Sequence, residues 1–181
     1  MKKFELKIEY DENPMNPREE WDNLGSMFCF HPRYSLGDKH DYKTSDFDNW
    51  EDMEVKLSKE NNVGVILPLY LYDHSGITIS TSPFGDRWDS MRVGYILVSK
   101  KTIRKEFGIT RITKGITQKV TEVLQGEVKT FDQYLTGEIW KYCITEEDEI
   151  VESCSGYFDE DQCRSEGESM LKYYEENELV G

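Results

Sequence analysis

Hydrophobic and polar positions alternate at the N-terminus, where Phe4, Leu6, Ile8 and Tyr10 interleave with Lys3, Glu5, Lys7 and Glu9. That is the period of a half-buried strand. Pro14 and Pro17, with Gly25 beyond, make residues 11–24 an ordered loop. Ser26–Phe30 reads as a short apolar strand, and the polar, Gly/Asp-rich stretch 31–46 as a long loop. Long loops inside a compact domain are commonly functional. Phe47, Trp50, Val55 and Leu57 predict a helix over Phe47–Glu60.

Val63–Tyr72 (VGVILPLYLY) is apolar on both faces, as a central strand is, although Pro68 favours an edge or a bulge. Asp73-His74-Ser75-Gly76 is a turn leading into Ile77–Ser80, the second strand of a hairpin. Val93–Ser99 is a further apolar strand, and Lys100–Phe107 a short basic helix ended by Gly108. Ile116, Val120, Val123, Leu124, Phe131 and Leu135 keep helical spacing, with Gly126 weakening the middle and Gly137 placed to stop the run. Ile139–Ile144 and Glu149–Ser153 read as an antiparallel pair. In the last segment Asp159 is a cap with Gln162 three residues on, and Cys163, Gly167, Met170, Leu171 and Tyr174 line one face. These elements, with no repeat and no linker, predict one α+β domain over residues 1–181, an antiparallel-rich sheet with flanking helices.

Composition narrows the class. The chain has 181 residues, 37% hydrophobic and 13% aromatic, enough for a core and too aromatic for a disordered acidic tail. It is neither a simple coiled coil nor a uniformly basic nucleic-acid binder. No apolar run approaches the ~18 residues of a membrane span. The N-terminal MKKFELKIEY lacks the apolar core of a signal peptide, so a cytoplasm and no membrane partner are expected. Cys29, Cys143, Cys154 and Cys163 form no C-x-x-C pair, which leaves reduced thiols as the expectation and core packing as the role of Cys29 and Cys143.

The formal charge of −14 is unevenly spread. Residues 1–60 carry −6, residues 61–137 carry +3 and residues 138–181 carry −11. Between positions 99 and 119, Lys100, Lys101, Arg104, Lys105, Arg111, Lys114 and Lys119 stand against Glu106 alone. Such an asymmetry suits phosphate on one face and a basic protein surface on another. The alternative is plain solvation, or acids folding back over the bases.

His31 (Phe30-His31-Pro32-Arg33-Tyr34), His40 (Gly37-Asp38-Lys39-His40-Asp41) and His74 (Asp73-His74-Ser75-Gly76) are the proton-transfer candidates. His74 stands out because a hairpin turn needs no histidine, although Asp-His pairs also bond backbone. Their spacing fits no zinc motif. Glu-x-Lys recurs at Glu5, Glu54 and Glu127, as 32% charged residues produce by chance. No P-loop, G-x-G-x-x-G, H-E-x-x-H or G-x-S-x-G occurs, and the residues name neither a metal nor a cofactor. Trp21, Tyr34, Tyr42, Trp50, Tyr72, Phe84 and Trp88 sit among polar loop residues. Beside Arg33 or Arg87 such rings can stack single-stranded bases, although rings of this kind most often pack loops onto a domain.

Three stretches carry a family resemblance: Asn16-Pro17-Arg18-Glu19-Glu20-Trp21-Asp22-Asn23-Leu24-Gly25 leading to His31, Arg33, Tyr34, Leu36, Gly37 and Asp38; Leu67 to Ile77 through Trp88-Asp89-Ser90 and Val93-Gly94; and Ser153-Cys154 with Gly156-Tyr157. Covering somewhat under half the chain, they resemble a family of small bacteriophage and prophage proteins. The chain departs from that pattern at Met91-Arg92 and Ser155. Its Lys/Glu-rich style looks like that of a low-GC Gram-positive phage, and in size it is similar to certain type II-A anti-CRISPR proteins, Cas9 inhibitors of which one is associated with shortening the guide RNA. The resemblance implies Cas9 and its guide RNA as partners. If the chain cleaves RNA, His74 and His31 are the acid/base candidates, with Arg33 or Lys39 on phosphate charge. Lys100, Lys101, Arg104, Lys105 and Arg111 are the RNA-binding candidates. Stoichiometric inhibition by acidic DNA mimicry, and a phage housekeeping role, are the rival expectations.

Overall fold

The computed structural model describes residues 4–85 and 90–178. Along the chain lie β1 (Phe4–Tyr10), α1 (Pro17–Glu20), β2 (Ser26–Cys29), α2 (Trp50–Glu60), β3 (Val63–Asp73), β4 (Ile77–Ser80), β5 (Ser90–Ser99), α3 (Lys100–Glu106), α4 (Lys114–Thr136), β6 (Trp140–Glu146), β7 (Glu149–Tyr157) and α5 (Glu160–Glu178), with a 3-10 turn at Thr44–Asp46. The class is α+β, and every strand pairing is antiparallel. The sheet expected as one is two, of strand orders β1-β6-β7 and β2-β5-β3-β4. They belong to two compact units, residues 1–16 with 133–181, and Pro17–Asp132.

In the first of these units, β1 pairs with β6 from Phe4–Glu146 to Tyr10–Trp140. The alternation of β1 puts Phe4, Leu6 and Ile8 with Tyr142, Ile144 and Cys163 in one apolar cluster, completed by Met170, Leu171 and Tyr174 of α5. Asp159 caps α5 by accepting the Gln162 N–H at 2.8 Å. Gly167 is where the helix comes closest to the sheet: a Cβ there would lie 2.7 Å from Leu6 Cδ1 and 3.1 Å from Tyr142 Cβ.

In the second unit, β5 is buried from Val93 to Val98 and lies between β2 and β3. Tyr95 and Leu97 pack with Met53 and Leu57 of α2, ringed by Phe28, Tyr42, Phe47 and Trp50. The Tyr95 hydroxyl donates to Trp50 O at 2.6 Å, and burial pushes its pKa up to about 12. The Pro68 conflict resolves locally. β4 covers only Tyr70–Asp73 of β3, so at Pro68 β3 has a strand neighbour on one side and a missing N–H is tolerated. Buried Val120, Leu124, Val128 and Phe131 recur at helical spacing along α4. Gly137, at φ +75°, ends that helix in the left-handed region.

Residues 17–20, read as loop, form a single helical turn, because Pro17 suits a first helical position and Glu19 and Glu20 suit the positive end of the dipole.

Candidate functional site

The loop after β2 is held at both ends by groups the sequence carries close together. Gly37 bridges to Phe28 at φ +70°, and a Cβ there would lie 2.6 Å from Met27 O, so only glycine lets the loop come this near. Asp38 follows, its N–H donating to Met27 O at 2.8 Å. Its carboxylate accepts Arg18 Nε at 2.8 Å, Arg18 Nη2 at 2.7 Å and the Met27 N–H at 2.8 Å.

Arg18 is buried, and its remaining donors go to Gly25 O at 2.7 Å and to Glu127 of α4 at 3.0 Å. Glu127 also accepts the Leu24 N–H at 2.6 Å. Burial acts to lower the Arg18 pKa, but the hydrogen bonds and charges of Asp38 and Glu127 outweigh it and hold it above its ordinary value. Arg18, Leu24, Gly25, Gly37 and Asp38 therefore build the frame of the loop rather than its chemistry.

Between these anchors the loop encloses a cavity of about 480 Å³ whose wall includes Cys29, His31, Arg33, Tyr34, Lys39 and His40. Three of the four candidate catalytic side chains, His31, Arg33 and Lys39, thus share one cavity. His31 Nδ1 accepts the backbone N–H groups of Arg33 and Tyr34, both at 3.2 Å. That leaves the proton on Nε2 in the neutral ring, which stacks on Tyr34 at 4.8 Å and 19°. Burial, then the charge of Arg33, lower the His31 pKa against the opposing pull of Asp73. At neutral pH His31 is a hydrogen-bond donor whose bare nitrogen is turned into its own loop. A base role is closed to it in this geometry.

Arg33 forms an ion pair with Asp73 at the end of β3, and its guanidinium lies 5.3 Å from the centre of the Tyr34 ring. Its charge is balanced before any ligand arrives. Lys39 is exposed at the cavity and has no acidic partner among the described residues.

His40, a proton-transfer candidate by sequence without an assigned catalytic role, lines the same cavity. Its Nε2–H donates to Cys29 O at 3.1 Å, its ring lies against Phe28 and Phe30, and its Nδ1 is buried with no hydrogen-bond partner among the described residues. Asp73 has no role legible in the sequence, because its link to Arg33 spans 40 positions. Cys29 is no nucleophile: burial, then Asp38, push its pKa up to about 12.

His74 lies outside that lining, exposed on the β3–β4 turn, with its backbone N–H donating to Gly76 O at 3.1 Å. It directly follows Asp73, so the Arg33–Asp73 pair brings its turn to the loop. The RNA-binding candidates all stand on the surface. Ser99 caps α3 by accepting the Thr102 N–H at 3.0 Å, and Ile103 alone is buried. Lys100, Lys101, Arg104 and Lys105 are exposed, as is Arg111. Arg104 Nε donates to Thr110 O at 3.1 Å, and Lys105 pairs with Glu106 at 3.6 Å.

Of the loop aromatics, Tyr42 and Trp50 pack on the α2 cluster. Trp88 and Arg87 lie outside the described residues. Among the described residues no group of three His, Cys, Asp or Glu side chains can hold a metal ion. No described helix is long and apolar enough to cross a membrane.

Fold and cavity together define an α+β protein of two units with a polar, aromatic loop cavity. Compared with known proteins, the chain matches no family model, no curated protein and no solved structure.

Proposed function

We propose that the protein is a bacteriophage counter-defence protein that acts in the bacterial cytoplasm on Cas9 and its guide RNA. The observation that carries this reading is the division of charge between the two units. Residues 1–16 and 133–181 hold 6 basic and 18 acidic side chains, a net of −12, while Pro17–Asp132 holds 16 and 18, a net of −2. The acidic unit suits a basic protein surface. The other unit carries exposed α3 and the loop cavity, which suit phosphate and an unpaired base. The phage-like stretches supply the counter-defence context.

Within this reading Lys39 and the Nε2–H of His31 meet a phosphate oxygen, and the His31–Tyr34 stack offers a face to a base. His74 is left as the group for proton abstraction, since His31 Nδ1 is engaged. The deciding experiment incubates Cas9 and guide RNA with wild type, His31→Ala and His74→Ala, then sizes the RNA and assays DNA cleavage. Shortened guide with wild type and intact guide with His74→Ala is expected.

A second reading rests on the same −12: the acidic unit occupies a DNA-binding channel and no bond is broken. It predicts an intact guide in every lane, inhibition undiminished by either histidine variant, and competition by target DNA that weakens steeply with salt. Uninhibited Cas9 in all lanes would remove both readings.

A further inference from the structure

β7 is an edge strand of the β1-β6-β7 sheet. Its outward backbone groups follow from the phase of the ladder beside it. Asp11 N–H donates to Ile139 O at 2.7 Å, extending the β1–β6 register by one pair. Hydrogen-bonded pairs alternate along an antiparallel ladder, so Glu9–Lys141, Lys7–Cys143 and Glu5–Thr145 exchange bonds. Cys143 therefore commits both backbone groups to β1. Its partner on the other side, Ser153, turns its N–H and C=O away from β6 to the free edge. The Ser153 N–H accordingly finds the Glu152 carboxylate, at 3.2 Å.

Edges of this kind are blunted by lysine, proline, other charged residues or bulges. β7 has no lysine or proline and exposes Ile150 and Val151, while Glu149, Glu152 and two register shifts restrict where a partner can pair. Register shifts on both sides leave Glu152–Cys154 as its regular run, so a strand added here is short. On the α5 side of that run lies a groove of about 350 Å³ lined by Tyr142, Glu166, Ser169, Met170 and Tyr173. Tyr142 is the cross-strand partner of Cys154, which places the groove beside the edge. Glu152 stands on the same face, with its carboxylate 3.5 Å from the Tyr174 hydroxyl.

The charge chooses the occupant. A second copy would bring another −12 and set carboxylates against carboxylates, and RNA would be repelled in the same way. A basic segment gains at every step: its backbone meets Ser153, a Lys or Arg stem lies over Tyr142 and Met170, and the charged head reaches Glu152 or Glu166.

We propose that the free edge of β7 and the neighbouring groove between Tyr142 of β6 and α5 dock a short extended Lys/Arg-bearing segment of another protein by strand addition. This deepens the reading above by resting on its protein-facing acidic unit, and it is testable without Cas9. The probe is the fluorescein-labelled peptide Lys-Val-Arg-Val-Lys-Val-Lys, compared with an analogue of equal charge in which the valines are prolines. The valine peptide is expected to bind at least tenfold more tightly and to slow hydrogen exchange of the Ser153 amide by a similar factor.

Ser153→Pro removes one outward donor and should abolish that preference, whereas Ser153→Ala should keep it. If Ser153→Pro fails to fold, Glu166→Gln should weaken binding several-fold more than Glu175→Gln, an equal change of charge outside the groove. Equal affinity for the two peptides, or unchanged Ser153 exchange, would overturn the proposal. So would Ser153 protection that rises with protein concentration and no peptide, since the edge would then pair with itself. Peptide docking with uninhibited Cas9 would leave the edge standing and sink the Cas9 reading alone.

Discussion

Arg18 shows how a charged residue in a motif can be structural. Five hydrogen-bond donors of a guanidinium suit two carboxylates and a carbonyl, and Arg18 finds Asp38, Glu127 and Gly25 O. Arg18→Met strands two partly buried carboxylates, and a loss of about 3–5 kcal/mol is expected, read as a lower urea midpoint. His31 gives a pH-dependent counterpart. Its folded pKa lies below its ordinary value, chiefly through burial. As pH falls through about 6.5, the unfolded chain binds a proton that the folded chain does not, so stability is lost until the folded pKa is passed. Above that window the contribution is level. His31→Asn keeps an acceptor for the Arg33 and Tyr34 N–H groups and cannot titrate. Relative to it, the wild-type Tm should fall between pH 7.5 and pH 5, with His31 titrating below 6.5 by NMR. A pH-independent difference in Tm would refute this. None of these partnerships was legible in the sequence, because Arg18 to Glu127 and Arg33 to Asp73 are pairings across distance that no spacing rule encodes.

Elements were the most legible scale, since periodicity is local. The strict alternation of Phe4–Tyr10, the hairpin turn at Asp73–Gly76 and the Asp159 cap each recur in the structure where the pattern put them. The single turn Pro17–Glu20 is invisible to such a pattern, because four residues are too few to show a period. Two helical glycines separate propensity from packing. Gly126 is exposed in the middle of α4, and a Cβ there meets nothing within 4 Å. Gly126→Ala should therefore stabilise by about 1 kcal/mol and raise Tm. Gly167→Ala gains the same propensity but drives its methyl into Leu6 and Tyr142, so a net loss of about 1–2 kcal/mol is expected. Calorimetry on the two variants should give shifts of opposite sign, and equal shifts would mean that α5 packs loosely enough over β1 and β6 to admit a methyl group.

At the scale of the whole molecule, charge is what the fold reorganises. The −6 of residues 1–60 and the −11 of residues 138–181 look like two acidic ends in sequence. Pairing of β1 with β6 instead puts residues 1–16 into one unit with the C-terminal third, at −12. The basic helix α3 belongs to the other unit. Alanine at Lys100, Lys101, Arg104 and Lys105 should lower the slope of log affinity for single-stranded RNA against log salt by about 0.7 for each phosphate that is no longer neutralised. Filter binding between about 50 and 200 mM salt reads this, and an unchanged slope would take α3 out of RNA binding. Glutamine in place of the acids of β7 should leave that slope alone. The sequence by itself determined the α+β class and the order of the strands and longer helices along the chain. It could do so because side-chain periodicity and turn chemistry act over a few residues. Only the tertiary structure decided that there are two sheets, that Arg18 is a buried strut, and that His31, Arg33, Lys39 and His40 share one cavity while His74 stands beside it. It also decided that β7 is left at an edge. Those outcomes depend on hydrogen bonds and charge pairs between residues up to 140 positions apart, for which the linear pattern holds no signal.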